Sequence, residues 1–535
     1  MPLRYALVVL CLLPLAARAQ TPGTCAPGRA ERDLAVGDVR ARVFNTGSLF
    51  YGNTSSAAYL VPASEQRSPI YAAGLWVGGK AGGELRVAGA TYADYEFWPG
   101  PLLDGGVLPR PEDCAAYDRI WRVSRGDVAR FYATGESTAD LVEWPYELGA
   151  PVLDGDGDPT NYDLAAGDQP AISGEQMLWW VMNDVGNAHW NTFTPPMGLE
   201  VRVSAFAFAD GPVALRTATF YRYTLLHRGP APLDSAYLSI FVDPDLGDSA
   251  DDYVGSDTLR EMGFVYNADD ADGNGQPPSY GTPPPAAGFD LLSDGLGSVM
   301  YFASLGAGDP TSDPSNGRDI YNLMRGLWKD GVPLTEGGTG YNSGGPVTTV
   351  VYPGDPVTRA FWSERCPNQP CGAGAPAGDR RFVLTSSSFV LAPGEARTFD
   401  VALLFGRGAD HLDSVTRLRA ASDVAQVAYA AGYLDARPVP GFAPPPLPRA
   451  VELRRPAPNP FTDEAVIRYA LPSAARVRIT LVDVLGRELA VLADGAHGAG
   501  PHEAAVDGAV LAPGVYVARV WVNGEVVAAL PLTRR

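Results

Sequence analysis

The stretch Leu199-Glu200-Val201-Arg202-Val203-Ser204-Ala205-Phe206 sets Leu199, Val201, Val203 and Ala205 on one side and Glu200, Arg202 and Ser204 on the other. That is the two-residue period of a strand with one apolar face. The same reading extends outward from it. Thr217 to Leu226 and Ala236 to Val242 follow as strands downstream. Upstream, Gly74 to Lys80 and Glu84 to Ala88 flank Ala81-Gly82-Gly83 and read as a hairpin. Phe382 to Val390 and Thr398 to Phe405, with Pro393-Gly394 between them, form another strand-turn-strand unit. One helix stands out late in the chain, from Asp413 to about Tyr433, where Val415, Leu418, Ala421, Val424 and Ala428 recur at helical spacing. The fold class expected is mainly β, a large β-sandwich body with one late helix. A division into two packed subdomains near residue 195 and a single large sandwich fit this pattern equally.

The chain has 535 residues, too many for one ordinary domain. Its Gly and Pro content, 60 and 48, stays below the level of a disordered chain and fits many short strands joined by tight turns. A formal net charge of −20 repels phosphate backbones and argues against nucleic acid as a partner. The first residues have the form of a secretory signal peptide: Arg4, an apolar run from Ala6 to Ala16, and Ala17-Arg18-Ala19 as a cleavage site. No later segment reaches the ~20 apolar residues of a transmembrane helix. The parts expected are a signal peptide at 1–19, a β-rich extracellular body at 20–436, a proline-rich linker at 437–455 and a C-terminal domain at 456–535. After cleavage Cys25, Cys114, Cys366 and Cys371 remain. An even number in an exported chain allows disulfides, with Cys366 and Cys371 close enough to close a small loop; four cysteines leave three connectivities open.

The C-terminal segment carries Pro458-Asn459-Pro460-Phe461, then Leu471-Pro472, then Asp483-Val484-Leu485-Gly486-Arg487. Gly500-Pro501-His502 and Leu511-Ala512-Pro513-Gly514-Val515-Tyr516 follow, with Arg534-Arg535 at the end. These are short alternating strands punctuated by turns, the pattern of a small β-sandwich. In this order the motifs resemble the type A sorting domain of the type IX (Por) secretion system, an immunoglobulin-like β-sandwich. The resemblance covers residues 456–535. It implies passage across the outer membrane through the type IX translocon and removal of the domain by a sortase-like peptidase. The product would be fixed to surface lipopolysaccharide or released, on the outer surface of a Gram-negative bacterium or outside it. Within the body, Ala73 to Lys80, Trp180 to Asp184 and the stretch Asp243 to Asp257 resemble blocks in uncharacterised exported proteins with this kind of tail, a grouping that brings no function with it.

Two acidic clusters are candidates for calcium, which takes six to eight hard oxygen ligands. The first is Asp154, Asp156 and Asp158 with Asp163, where carboxylates at alternate positions and intervening glycines let a loop curl round an ion. It departs from an EF-hand at Pro159 and Ala165. The second is Asp243, Asp245, Asp248, Asp251 and Asp252, at the end of an apolar strand, where so many like charges repel unless a cation offsets them. A solvated acidic turn is the alternative for each. Three other signals are weaker. Gly74 to Lys80 nearly matches a phosphate-binding loop but lacks Ser or Thr after the lysine. Arg125-Gly126-Asp127 is a short adhesion tripeptide. Trp179, Trp180 and Trp190 offer either a sugar platform or core. With five histidines and neither H-E-x-x-H nor G-x-S-x-G, no reaction is singled out. The reading is a non-catalytic surface or secreted protein whose body is stiffened by structural calcium and binds glycan or other surface components. The alternative is a carbohydrate-active hydrolase using paired carboxylates.

Overall fold

The computed structural model describes residues 23–432 and 450–535, apart from 52–57, 93–94, 109–112, 156, 294, 307, 474 and 498–499. The signal peptide and most of the proline-rich linker fall outside the described residues, as does Asp156.

The fold is mainly β. A ten-stranded sheet runs in the order Glu31–Val36, Val39–Phe44, Ser48–Leu49, Ala72–Ala81, Leu233–Asp243, Arg380–Ser386 and Leu296–Ala303, with three further strands pairing to Val39–Phe44, Ala72–Ala81 and Leu233–Asp243. A nine-stranded sheet runs Asp252–Asp257, Met262–Asn267, Pro285–Leu291, Ala396–Arg407, Thr219–His227, Leu199–Ala207, Gln176–Asn183 and Trp98–Pro99, with Trp121–Ser124 beside Gln176–Asn183. Both sheets draw strands from either side of residue 195. The two strands that flank that position, Gln176–Asn183 and Leu199–Ala207, are paired antiparallel neighbours. In the hairpin Ala72–Ala81 to Glu84–Gly89, Gly82 and Gly83 both take positive φ, at 59° and 85°, which makes glycine the residue of choice for this two-residue turn.

The sheets stack face to face. Leu199, Val201, Val203 and Ala205 share one continuous core with Leu75, Val77 and Ile240 of the first sheet. The opposite face of the nine-stranded sheet is also covered. Met177, Trp179, Val181, Phe206, Phe220, Ala402 and Leu404 lie under the helix His411–Ala430 and the segments from Trp121 to Ile172. Burial on both faces explains the nearly unbroken apolar run Met177-Leu178-Trp179-Trp180-Val181-Met182. It also bears on the polar side of Leu199–Ala207, where Arg202 and Ser204 stay half-buried and Glu200 does not face water. Glu200 is fully buried, accepts the Leu102 N–H at 2.9 Å and pairs with Arg202 at 2.8 Å. The helix starts at Asp410, whose side chain accepts the Leu412 and Asp413 N–H groups, and it buries Val415, Leu418, Ala421, Ala425 and Ala428. Gly406 beneath it is needed for contact, since a Cβ there would lie 2.3 Å from the Leu418 nitrogen.

The C-terminal residues form two small antiparallel sheets. One holds Glu452–Leu453, Glu464–Leu471 and Gly500–Asp507; the other holds Glu488–His497, Ala475–Asp483, Gly514–Val522 and Glu525–Arg534. Their core is their own: Phe461, Ile467, Tyr469, Leu471, Ile479, Leu481, Val506, Tyr516, Val520 and Leu532. Cys25 is joined to Cys114, beside Trp98, and Cys366 to Cys371.

Candidate metal centre

Leu233–Asp243 is an interior strand of the first sheet and ends at Asp243, 1% exposed. The chain then turns sharply, with Asp245 at φ 39° and Gly247 at φ 76°. Asp tolerates the left-handed region better than most side chains. The neighbouring strand Arg380–Ser386 pairs antiparallel with Leu233–Asp243, so the residues just before it arrive at the same end of the sheet. This brings Asp379 beside Asp243 and Asp245. Carboxylate oxygens of the three lie within 4.8 Å of one another.

Two groups already hold part of this cluster. The Tyr92 hydroxyl donates to Asp243 Oδ2 at 2.8 Å. Arg381 places Nε 3.4 Å from Asp243 Oδ1 and Nη1 3.0 Å from Asp379 Oδ1, with Asp313 farther out at 3.8 Å. Asp243 Oδ1 is buried and makes no hydrogen bond. One guanidinium against three ionised carboxylates leaves two negative charges without an offset. Burial, and after it the neighbouring Asp245, pushes the Asp243 carboxyl up to about 7, although Arg381 and Tyr92 oppose the rise. Burial and the nearby Asp379 push Asp245 up to about 6. For Arg381, burial works against the charge, but Asp243, Tyr92 and Asp379 together outweigh it and hold the guanidinium above its ordinary value.

The donor set is all oxygen, with no His or Cys, which suits a hard cation of the calcium or magnesium class and not zinc. Three carboxylates offer six oxygens, of which Asp243 Oδ2 already accepts from Tyr92. The sequence reading found Asp243 and Asp245 and missed Asp379, which lies more than a hundred positions away and joins the site only through strand pairing.

The other acidic candidates behave differently. Asp252 is fully buried; its Oδ2 accepts the Leu246 N–H at 3.0 Å and its Oδ1 has no hydrogen bond. Burial holds its carboxyl well above the ordinary range. Asp248 and Asp251 point into the adjoining loop. Asp248 accepts from the Ala250 N–H, and Asp251 accepts from the Asn267 amide at 2.8 Å and the Gly273 N–H at 3.3 Å. Asp272, which lies in the same acidic stretch of the sequence, braces that loop by accepting from the Asp248 and Tyr280 N–H groups. In the first cluster, Asp154 accepts from the Gly157 N–H, Asp158 from Thr160, and Asp163 from Ala165 and Ala166. Each carboxylate there closes its own turn, and among the described residues they form no convergent group. A third acidic group, Asp270, Asp410 and His411, is largely exposed, and its Asp410 is the cap of the long helix.

The remaining signals resolve into structure. Gly74 to Lys80 is a central strand, not a loop around phosphate. Arg125-Gly126-Asp127 is the first turn of a helix closed by a capping box between Ser124 and Asp127. Trp179 and Trp180 are buried, whereas Trp190 is 65% exposed. A shallow depression contains two carboxylates beside a tyrosine, Asp319, Asp330 and Tyr341. Both carboxylates are in structural use: Asp319 accepts the Ser315 N–H, and Asp330 accepts the Val332 N–H and the Tyr341 hydroxyl.

The motif residues of the C-terminal segment hold its sheets together. Asn459 donates to the Pro531 carbonyl at 2.9 Å and accepts the Thr533 N–H at 2.8 Å. Phe461 is 2% exposed in the core. Asp483 accepts the Leu485 and Arg487 N–H groups and pairs with the Arg487 guanidinium across a turn in which Gly486 has φ 82°. The Tyr516 hydroxyl donates to the Ala512 carbonyl at 2.6 Å, over the turn that contains Gly514. Among the described residues no helix is long and apolar enough to cross a membrane.

No family model matches the chain, and no curated protein matches it. Among solved structures it is similar to a polysaccharide lyase, at 9% identity and a TM-score of 0.20, over 63% of this chain and 34% of the other. It is also similar to dimeric latent PorU from Porphyromonas gingivalis, at 10% identity and a TM-score of 0.14, over 67% of this chain and 32% of the other. The chain thus spans about a third of each of those proteins, and likenesses this slight carry no argument about its function.

Proposed function

We propose that this chain is an exported, non-catalytic protein of the outer surface or surroundings of a Gram-negative bacterium. Its β-sandwich body is stabilised by calcium held at Asp243, Asp245 and Asp379. In this reading residues 456–535 are a type A sorting domain, recognised by the type IX translocon and removed by a sortase-like peptidase, after which the body is fixed to lipopolysaccharide or released. The observation that supports the metal most directly is the buried Asp243 Oδ1, with no hydrogen bond, facing two further carboxylates and one guanidinium. A divalent cation supplies the two positive charges that Arg381 leaves wanting. The sorting reading is supported by the ordered motifs, whose residues Asn459, Phe461, Gly486, Arg487 and Tyr516 each make a defined contact in one small β-domain.

The metal is tested by thermal unfolding of the full chain in excess calcium and in chelator. A calcium-dependent rise that disappears in Asp243→Asn and Asp379→Asn supports it; an unchanged melting temperature removes it. The delivery is tested by expressing the chain, with and without residues 456–535, in a bacterium that has a type IX system. Equal amounts outside the cell in both cases would refute the sorting role.

A further inference from the structure

The loop from Ala188 to Pro196 reverses the usual order of a folded chain. His189 and Thr192 are buried, at 4% and 1% exposure, while Trp190 and Phe193 stand 65% and 71% exposed. Polar side chains face in and aromatic rings face out, against the general preference. Trp190 differs from Trp76, Trp98, Trp121, Trp144, Trp179 and Trp180, all of which are buried.

The loop that displays the two rings is tied down by buried polar groups. Both ring nitrogens of His189 lie within hydrogen-bond distance of backbone carbonyl oxygens, Val87 at 2.9 Å and Asp184 at 2.8 Å. Glu96, fully buried, accepts from the Asn191 N–H at 2.7 Å, the Thr192 N–H at 3.3 Å and the Thr192 hydroxyl at 2.8 Å. The Asn191 amide donates to the Gly89 carbonyl, and the Gly317 N–H donates to the Thr192 carbonyl. Phe193 is held at φ 55°, a conformation that costs a β-carbon residue of this size energy. Burying this many polar groups to fix the backbone between two exposed rings is preorganisation of those rings.

We propose that Trp190 and Phe193 form a binding platform for the sugar rings of a neutral polysaccharide. Between Ala188 and Pro196 the only ionisable side chain is the buried His189, although the chain as a whole carries −20, so the platform favours an uncharged partner. The two rings expose on the order of 300 Å², well short of the ~800 Å² per partner of a stable protein interface. A second copy of the chain or a protein partner therefore fits poorly, whereas the C–H face of a pyranose needs one aromatic face. An anionic membrane is disfavoured by the net charge. The proposal goes beyond the calcium reading and does not depend on it.

The test is native affinity electrophoresis of the full chain through gels containing a β-glucan, a mannan, a dextran or the anionic polymer alginate. The expected result is retardation in at least one neutral gel. Trp190→Ala should weaken it by about tenfold or more and Phe193→Ala by less, while Trp190→Tyr retains most of it. All three variants should keep the melting temperature and calcium response of the parent, which separates loss of the platform from loss of fold. No retardation in any neutral gel, retardation indifferent to Trp190→Ala, or stronger retardation in alginate overturns the proposal. Self-association in sedimentation that vanishes in Trp190→Ala would overturn it too, by making the loop a contact between copies.

Discussion

Replacing Asp243 by Asn makes opposite predictions for the chain with and without calcium. Burial and Asp245 raise the Asp243 carboxyl from 3.8 to about 7. A group raised in the folded state contributes stability that is fully present below pH 3.8 and is lost as the pH climbs through about 7. At pH 7.5 without metal, the folded chain must ionise Asp243 against its surroundings, at a cost on the order of 4 kcal/mol. Unfolding entropy of ~2.1 cal/mol/K per residue, over a cooperative body of roughly 400 residues, converts this to a ceiling of about 5 °C in melting temperature. In chelator at pH 7.5, Asp243→Asn therefore melts higher than the parent, by up to that amount. At pH 4.5 the parent carboxyl is already protonated and the difference closes. Calcium acts in the reverse direction: at a hundred times its Kd it adds about 2.7 kcal/mol, or roughly 3 °C, to the parent and nothing to the variant. The shift in the parent shrinks toward pH 5, where protons compete for the same oxygens. Differential scanning calorimetry at pH 4.5, 6 and 7.5, with calcium and with chelator, measures every term. A calcium shift of equal size at pH 4.5 and 7.5, or one that survives Asp243→Asn, refutes the reasoning.

Three further outcomes follow from single contacts. Asp252→Asn leaves the melting temperature nearly unchanged, because burial keeps this carboxyl well above the ordinary range, whereas Asp252→Ala leaves the Leu246 N–H unsatisfied and costs about 1–3 kcal/mol by denaturant unfolding. Replacing both Cys25 and Cys114 by Ser opens a link across 89 residues and lowers stability by roughly 4–5 kcal/mol on the chain-entropy account, while the Cys366 and Cys371 pair, five residues apart, gives about 2 kcal/mol; equal losses would contradict that account. Asn459→Ala removes two hydrogen bonds to the last strand and costs about 1–2 kcal/mol, read as faster proteolysis within residues 450–535 and no change in the main unfolding transition.

The strands were legible because their signal is local. Leu199 to Ala207, Ala72 to Ala81, Ala396 to Arg407 and the helix His411–Ala430 stand within a few residues of where periodicity puts them. What periodicity does not carry is the partner of each face. Glu200, Arg202 and Ser204 read only as the polar side of their strand, yet the second sheet has another layer upon it, and Glu200 is fully buried with Leu102 and Arg202 as partners. The acidic clusters make the same point about sites. Asp154, Asp158 and Asp163 are dense in sequence, but each spends its oxygens on the N–H groups of its own turn, so density alone brings no convergence. Asp243 and Asp245 converge with a residue no local pattern could nominate. Asp379 has no acidic neighbours of its own kind around it and stands before a strand whose sequence announces only β structure. It reaches the site because Arg380–Ser386 runs antiparallel beside Leu233–Asp243, so the residue entering one strand lies next to the residue leaving the other. The same pairing sets Arg381 against both carboxylates. A cation site at this position is therefore a property of the sheet order, and a change that shifts the register of those two strands by one residue would dismantle it while leaving all three aspartates in place.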